Sequence, residues 1–257
     1  MPGWPYPRLL AHRGAGTLAP ENTLVALQVG HEMGYRGAEL DAVLSADEVP
    51  VLLHDGTLDR TTSGTGPVDR RTAAELSRLD AGSWMDPRYA GQPVPTLRQA
   101  LERGWALGLW FNVEIKPMPG REERTGLLVA QVVAAFCAEM AQVDAARAST
   151  MAPLLSSFSA VALQAARRAA PQLRRGLLVG RIPAGWQQML EAVDAFSLHC
   201  DHRGLSAARA RELRRSGAGL MCYTVNEPER ADRLREWGVD AICTDRLDLI
   251  GPGRWDD

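Results

Sequence analysis

Histidine, cysteine and aromatic residues are scarce in this chain, with five histidines, four cysteines and 6% aromatics in 257 residues. No pair among Cys137, Cys200, Cys222 and Cys243 has metal-finger spacing, and all four lie in apolar surroundings. They read as buried thiols in a reducing compartment. There is no basic run, and 29 basic residues against 31 acidic ones leave a net charge of −2. Nothing in that balance calls for nucleic acid or an anionic membrane surface. No apolar run reaches membrane-spanning length, and the opening MPGWPYPRLLAHRG carries three prolines without a long apolar segment. It does not read as a secretory signal. No low-complexity tract or short repeat is present. The expectation is a cytoplasmic enzyme or binding protein, with no nucleic-acid partner and no stable membrane association.

What is present is an alternation. Short β-prone runs end in polar residues, and longer helix-prone stretches follow. The runs are RLLAH (8–12), GAELD (37–41), LWFNVEIK (109–116), PLLSSFS (153–159), RGLLVG (175–180), DAFSLHC (194–200), GLMCYTV (219–225) and DAICTD (240–245). Helices are predicted over ENTLVALQVGHEMGY, AAELSRL, PTLRQALERGWALG, residues 122–143, SAVALQAARRAA, SAARARELRRSGA and NEPERADRLREWG. Several of these end in glycine. Eight strand–helix units in a chain of this size match a (β/α)₈ TIM barrel, with a doubly wound open sheet as the alternative. A single domain over 1–257 is expected. After Asp41 the chain continues AVLSADEVPVLLHD without a helix. This reads as a hairpin turning at Ser45–Glu48 that returns His54 to the level of Asp41. Residues from about 55 to 95 pattern weakly and read as an insertion on the barrel rim.

Side chains alternate across a strand. In LWFNVEIK, Phe111, Val113 and Ile115 share one face, which a barrel strand turns outward to its helices. Asn112, Glu114 and Lys116 then point inward. The same parity pairs Glu39 with Asp41 in GAELD. A barrel interior is normally apolar, and buried carboxylates cost several kcal/mol unless they are paired or bind a cation. The bland readings are a solvated polar face or an internal Glu114–Lys116 salt bridge. The functional reading is a cation site in which Glu39, Asp41 and Glu114 supply hard oxygen ligands suited to Mg²⁺ or Ca²⁺.

Two further loops are unusual. AHRGAGTLAPENT and LLHDGTLDRTT each end an apolar run in histidine and continue into a polar loop. Together with ELDAVLSADEVP, VEIKP, LLSSF, YTVN and GVDAICTD, in that order, they resemble the glycerophosphodiester phosphodiesterases over residues 4 to about 253. The resemblance implies a TIM barrel with a small insertion after the second-strand hairpin. It implies hydrolysis of small glycerophosphodiesters to sn-glycerol 3-phosphate and an alcohol. It places His12 and His54 on the acid/base pair, Glu39, Asp41 and Glu114 on the divalent-metal ligands, and Arg13 and Lys116 on the phosphate contacts. Tyr223 falls where many members carry tryptophan, and with Phe158 it is a candidate wall for the glycerol.

A phosphodiester anion repels an incoming nucleophile, and its alkoxide leaving group is poor. Catalysis needs positive charge on the phosphoryl oxygens and a proton donor for the leaving oxygen. Imidazoles titrating near 6.5 suit the proton work. Attack by water or by the glycerol 2-hydroxyl remains open, as do a lyase that releases a cyclic phosphate and a non-catalytic phosphate-binding module. Among other residues, His31 reads as structural, His199 as a possible rim contact and His202 as a loop residue. Asn22–Thr23 reads as an N-cap for the first helix, Asn22 alternatively as a residue that holds the HRG loop or touches substrate, and Asp245 as a brace for the last strand.

Overall fold

The computed structural model describes residues 3–255. Eight parallel strands close into a barrel: β1 Leu9–Ala11, β2 Gly37–Leu44, β4 Trp110–Ile115, β5 Leu154–Ser157, β6 Arg175–Val179, β7 Ser197–Asp201, β8 Gly219–Tyr223 and β9 Ala241–Thr244. Strand β1 seals the ring by pairing with β9 on one side and with β2 on the other, Leu10 facing Gly37 in register. The remaining strand, β3 (Pro50–Leu52), runs antiparallel to the end of β2, with Ala42 opposite Leu52. It is the return arm of the hairpin read from the sequence. The backbone N–H of Leu53 donates to the Asp41 carbonyl at 3.2 Å, so His54 does come back beside Asp41.

The helices are α1 Leu24–Glu32, α2 Ala73–Leu76, α3 Leu97–Leu107, α4 Glu122–Val143, α5 Ala145–Met151, α6 Ala160–Ala169, α7 Trp186–Val193, α8 Ala207–Ser216 and α9 Pro228–Glu236. Side-chain oxygens of Thr23, Thr96, Ser159 and Ser206 cap α1, α3, α6 and α8. These are the start signals a hydroxyl supplies by accepting from an orphan N–H of the first turn. Two helices were not anticipated. Helix α7 opens on Gly185 in the left-handed region with no side-chain cap, so the usual start signal is missing. Helix α5 follows α4 across Asp144 alone, beyond the stretch 122–143 that the sequence pattern marks. Among the described residues, α4 is the one helix long and apolar enough to cross a membrane. It buries Val129, Ala130, Val133 and Phe136 in the shell around the barrel.

Strand parity sorts the core into layers. Phe111, Val113 and Ile115 of β4 face outward with Ala38, Leu40 and Ala42 of β2, and pack under the helices. Inside the ring lie Leu10, Trp110, Leu154, Met221, Ala241 and Cys243, backed by Trp4, Tyr6 and Phe196. Trp110 stacks on Tyr6 at 4.2 Å and donates its indole N–H to the Ala152 carbonyl at 3.0 Å. Between β3 and α3 the chain builds a satellite core of its own from Leu53, Leu58, Val68, Leu76, Ala81 and Val94 against Val43 and Val51 of the hairpin. Helix α2 there is held by a Thr72–Glu75 capping box. Trp110→Ala is expected to cost about 3–5 kcal/mol through the cavity and lost contacts, read as a shift of the urea midpoint. A loss below about 1 kcal/mol would mean the barrel floor is not packed as described.

Candidate active site

The C-terminal ends of β2 and β4 stand side by side, with Asp41 in register with Glu114 and Glu39 in register with Asn112. Inward parity therefore stacks three carboxylates at one end of the barrel. Glu39 and Asp41 are 5% and 1% exposed, and oxygens of Glu39, Asp41 and Glu114 all lie within 4.8 Å of one another. Two cations approach them. The Lys116 ammonium is 3.2 Å from Glu114 and 3.6 Å from Asp41. The Arg13 Nε is 3.4 Å from Asp41, while the Arg13 backbone N–H donates to Glu39 at 3.3 Å. The internal Glu114–Lys116 pair allowed by the sequence thus exists, but it leaves three acids, two of them buried, facing two cations. Lys116 is the only lysine among the 29 basic residues of the chain. Its compact ammonium acts as a point charge shared between Glu114 and Asp41.

The imbalance appears in the protonation of the trio. Burial, reinforced by Asp41 and Glu114, pushes the Glu39 carboxyl well above the usual range. Burial and Asp41 raise Glu114 to about 7. Burial acts in the same direction on Asp41, yet Lys116, Arg13 and His54 hold it below its ordinary value. One Glu39 oxygen has no partner in the described protein. An orphaned buried oxygen among crowded carboxylates fits a divalent cation held by Glu39, Asp41 and Glu114, with oxygen donors of the kind Mg²⁺ and Ca²⁺ take.

His12 and His54 are each set by an aspartate. Past β1 the chain turns sharply over His12–Gly14, with Arg13 in the left-handed region at φ 52°. Gly16 is also left-handed, at φ +56°, and a Cβ there would lie 2.2 Å from the Asp245 carbonyl oxygen. This glycine lets the loop press against the end of β9. There, Asp245 meets the Nδ1 of His12 at 2.6 Å. Asn226 in turn donates to Asp245 at 3.1 Å and accepts from its backbone N–H at 2.9 Å. The His12 Nε2 is left 3.9 Å from Glu39. His54 repeats the pattern, its Nδ1 lying 2.6 Å from Asp55. Burial lowers the His54 pKa, outweighing the opposite pull of Asp41.

An ion chain joins the two histidine loops. Arg60 donates to Asp55 at 2.6 Å and, with two nitrogens, to Glu21 at 2.8 Å. Glu21 also accepts from Arg13 at 2.7 Å. Asn22 sits at φ 59°, donates to the Asp41 carboxylate at 2.8 Å and accepts from the Asp41 N–H at 3.1 Å.

The structure brings all nine sequence-derived candidates to one end of the barrel. Phe158 and Tyr223 form an edge-to-face pair with centroids 6.1 Å apart, and line the same small pocket as His12, Glu39 and Glu114. The Tyr223 hydroxyl donates to the Val179 carbonyl at 2.8 Å. Four readings change. His199 is not at the rim but fully buried inside the barrel, bonded to Ser197 at 2.9 Å. Thr23, not Asn22, caps α1. Cys137 is only partly buried. Asp245 does more than brace its strand, since it orients His12. Asp55, Glu21, Arg60 and Asn226 were given no role from sequence, although all lie inside or beside the phrases that drew attention to the loops.

A closed parallel barrel with carboxylates, cations and paired imidazoles at its C-terminal end has the layout of a TIM-barrel enzyme. The glycerophosphoryl diester phosphodiesterase family model matches residues 12–249. A glycerophosphodiester phosphodiesterase of Caldanaerobacter subterraneus is 32% identical, covering 92% of this chain and 93% of the relative. An Oleispira antarctica phosphodiesterase, solved in complex with the product sn-glycerol-3-phosphate, superposes with a TM-score of 0.84 at 34% identity over 93% of each chain. A glycerophosphodiester phosphodiesterase from Agrobacterium tumefaciens gives a TM-score of 0.74 at 29% identity, over 94% of this chain and 97% of the other. The chain belongs to the glycerophosphoryl diester phosphodiesterase family, and its enzyme class is that of a phosphoric diester hydrolase.

The raised Glu114 pKa carries a sign. Its folded value of about 7 lies above the ordinary 4.5, so its stabilisation is full below 4.5 and is lost as pH rises through about 7. A divalent cation bound there would take the place of that proton, and would then raise Tm more at about pH 8 than at about pH 5. Glu114→Gln should flatten the difference. Equal cation-induced shifts at both pH values would contradict a shared carboxylate site.

Proposed function

We propose that the protein hydrolyses small glycerophosphodiesters to sn-glycerol 3-phosphate and an alcohol, with one Mg²⁺ or Ca²⁺ held by Glu39, Asp41 and Glu114. The observation that carries this reading is the crowding of three acids, Glu39 and Asp41 buried and Glu114 half-buried, beside two imidazoles that each pair with an aspartate. When bound, the cation supplies positive charge for the phosphoryl oxygens. Arg13 and Lys116 add to it, Arg13 through a forked contact and Lys116 as a point charge. The carboxylate on each Nδ1 fixes the ring and leaves Nε2 for proton transfer. His12 lines the inner pocket with a side chain 18% exposed, whereas the His54 side chain is 32% exposed. His12 therefore serves the inner side as base, and His54 the outer side as acid toward the leaving alcohol. Burial disfavours protonated His54 in the free protein, and a phosphodiester anion at Arg13 and Lys116 favours it again. Phe158 and Tyr223 wall the pocket. The free thiols agree with a reducing, cytoplasmic setting.

Hydrolysis of glycerophosphocholine by the purified protein should stop with chelator and return on adding Mg²⁺ or Ca²⁺. Turnover that persists after exhaustive chelation would remove the cation from the mechanism. His12→Ala and His54→Ala should each lower kcat by about 10²–10⁴-fold while the fold survives. A p-nitrophenyl ester needs no acid for its leaving group, so it should rescue His54→Ala and not His12→Ala. Rescue of His12→Ala alone would reverse the two roles. A substrate lacking the glycerol 2-hydroxyl should turn over poorly if that hydroxyl is the first nucleophile, and undiminished turnover would point to direct attack by water.

A further inference from the structure

The floor of the barrel, at the N-terminal ends of its strands, carries an arginine without a counter-charge. Arg174 and Arg175 stand side by side where β6 begins, and strand alternation turns them to opposite faces. Arg175 goes outward, where the Val193 carbonyl and the Asp194 carboxylate accept from it at 3.0 and 2.6 Å. Arg174 goes to the floor, its guanidinium 4.3 Å from the Phe196 ring centre and 5.6 Å from that of Tyr6. Among the described residues, every other buried or half-buried arginine donates to a carboxylate, carbonyl or amide oxygen, whereas half-buried Arg174 has no such acceptor. A cation partly withdrawn from water with nothing to balance it costs free energy that a bound anion recovers.

A cavity of about 390 Å³ opens beside Arg174, within the range of small-ligand sites. Its polar lining is completed by Tyr6, Ser149, Thr150 and Gln172, and no acidic side chain lines it. The Thr150 hydroxyl is committed to the Arg147 carbonyl at 2.9 Å. The Ser149 and Gln172 side chains make no hydrogen bond to the other described residues, and burial holds the Tyr6 phenol in its protonated form against the pull of Arg174. The cavity thus presents a guanidinium fork, two hydroxyls and an amide N–H, all able to donate. A carboxylate offers two oxygens to such a set, and a phosphate monoester offers three with more charge. The donors are held in place, since the Arg174 carbonyl accepts from the Leu155 N–H at 3.0 Å and Tyr6 stacks on Trp110 at 4.2 Å.

We propose that this floor cavity is a second anion site, which binds a small phosphate monoester through Arg174, Gln172, Ser149 and the Tyr6 hydroxyl. It shares no residue with the cluster at the barrel mouth and lies at the other end of the strands, so it does not depend on the reaction proposed above. The monoester that reaction releases has the group the cavity selects. The diester it consumes has one terminal oxygen fewer and binds there more weakly.

The test uses the full chain carrying Arg13→Ala and Lys116→Ala, which removes the phosphate contacts proposed at the mouth. Its Tm should rise with added sn-glycerol 3-phosphate or inorganic phosphate. Glycerate and dimethyl phosphate, with fewer charged oxygens, should bind about tenfold more weakly or worse. Adding Arg174→Gln should weaken the response to phosphate by about tenfold or more. Gln172→Glu, at an exposed position, sets a charge of the anion's own sign in the cavity and should do the same. No response in the mouth variant would overturn the proposal. So would a response that both floor substitutions leave unchanged, or glycerate binding as tightly as sn-glycerol 3-phosphate. If Arg174→Gln does not fold, Gln172→Glu gives the decision alone. If the mouth variant does not fold, calorimetric titration of the wild-type protein with sn-glycerol 3-phosphate should count one site more than in Gln172→Glu, and equal counts would overturn the proposal. None of these readings uses turnover, so failure here and failure of the phosphodiesterase reading are separable.

Discussion

Three carboxylates share a few ångströms at the barrel mouth with too little positive charge to balance them, and most of the local structure answers to that imbalance. Two come from β2 at alternate positions, and the third comes from the neighbouring β4 in register with Asp41. The register holds the three Cα positions together whatever rotamers the side chains take. Lys116 and Arg13 relieve Asp41, and Asn22 adds a donor, so Asp41 stays ionised. Glu39 and Glu114 are left to hold protons or a metal ion. Proteins tolerate this kind of local conflict at functional sites, where the missing partner arrives with the cofactor or the substrate.

The loops around the trio convert that charge into chemistry by fixing directions. Asp245, held by Asn226 from both sides, sets His12 from the last strand, while Asp55 sets His54 from the hairpin arm. Glu21 and Arg60 bind these two loops to one another across the mouth, so Arg13 and His54 are parts of one hydrogen-bonded chain. Such pairing matters because a reacting group misplaced by about 1 Å can cost about 10²-fold in rate. The satellite core formed by the segment after β3 anchors Arg60's loop, which gives that segment a role in positioning beyond covering the rim.

Strand runs and inward parity were legible in the sequence because period-two alternation survives in LWFNVEIK and GAELD even where the inward face is polar. The hairpin was legible because no helical pattern follows Asp41. Helix α7 was not, since its start lacks a hydroxyl or acidic cap, and α5, of seven residues, is too short to show a period of its own. The acids Asp55 and Asp245 stood in view beside histidine or at a strand end, but their pairing depends on loop geometry that periodicity does not encode. The Glu21–Arg60 contact joins residues 39 positions apart, beyond any local rule. His199 was misplaced because a terminal position in an apolar run looks like a rim, whereas β7 extends one residue further and keeps the ring inside.

The central claim is that Glu39, Asp41 and Glu114 together hold one divalent cation. Mn²⁺, which accepts the same oxygen donors, scatters X-rays anomalously and tests this directly in crystals of the protein. The account predicts a single strong anomalous peak within about 2.0–2.6 Å of an oxygen from each of the three carboxylates. A peak held by other residues, or none at saturating Mn²⁺ and neutral pH, would contradict it.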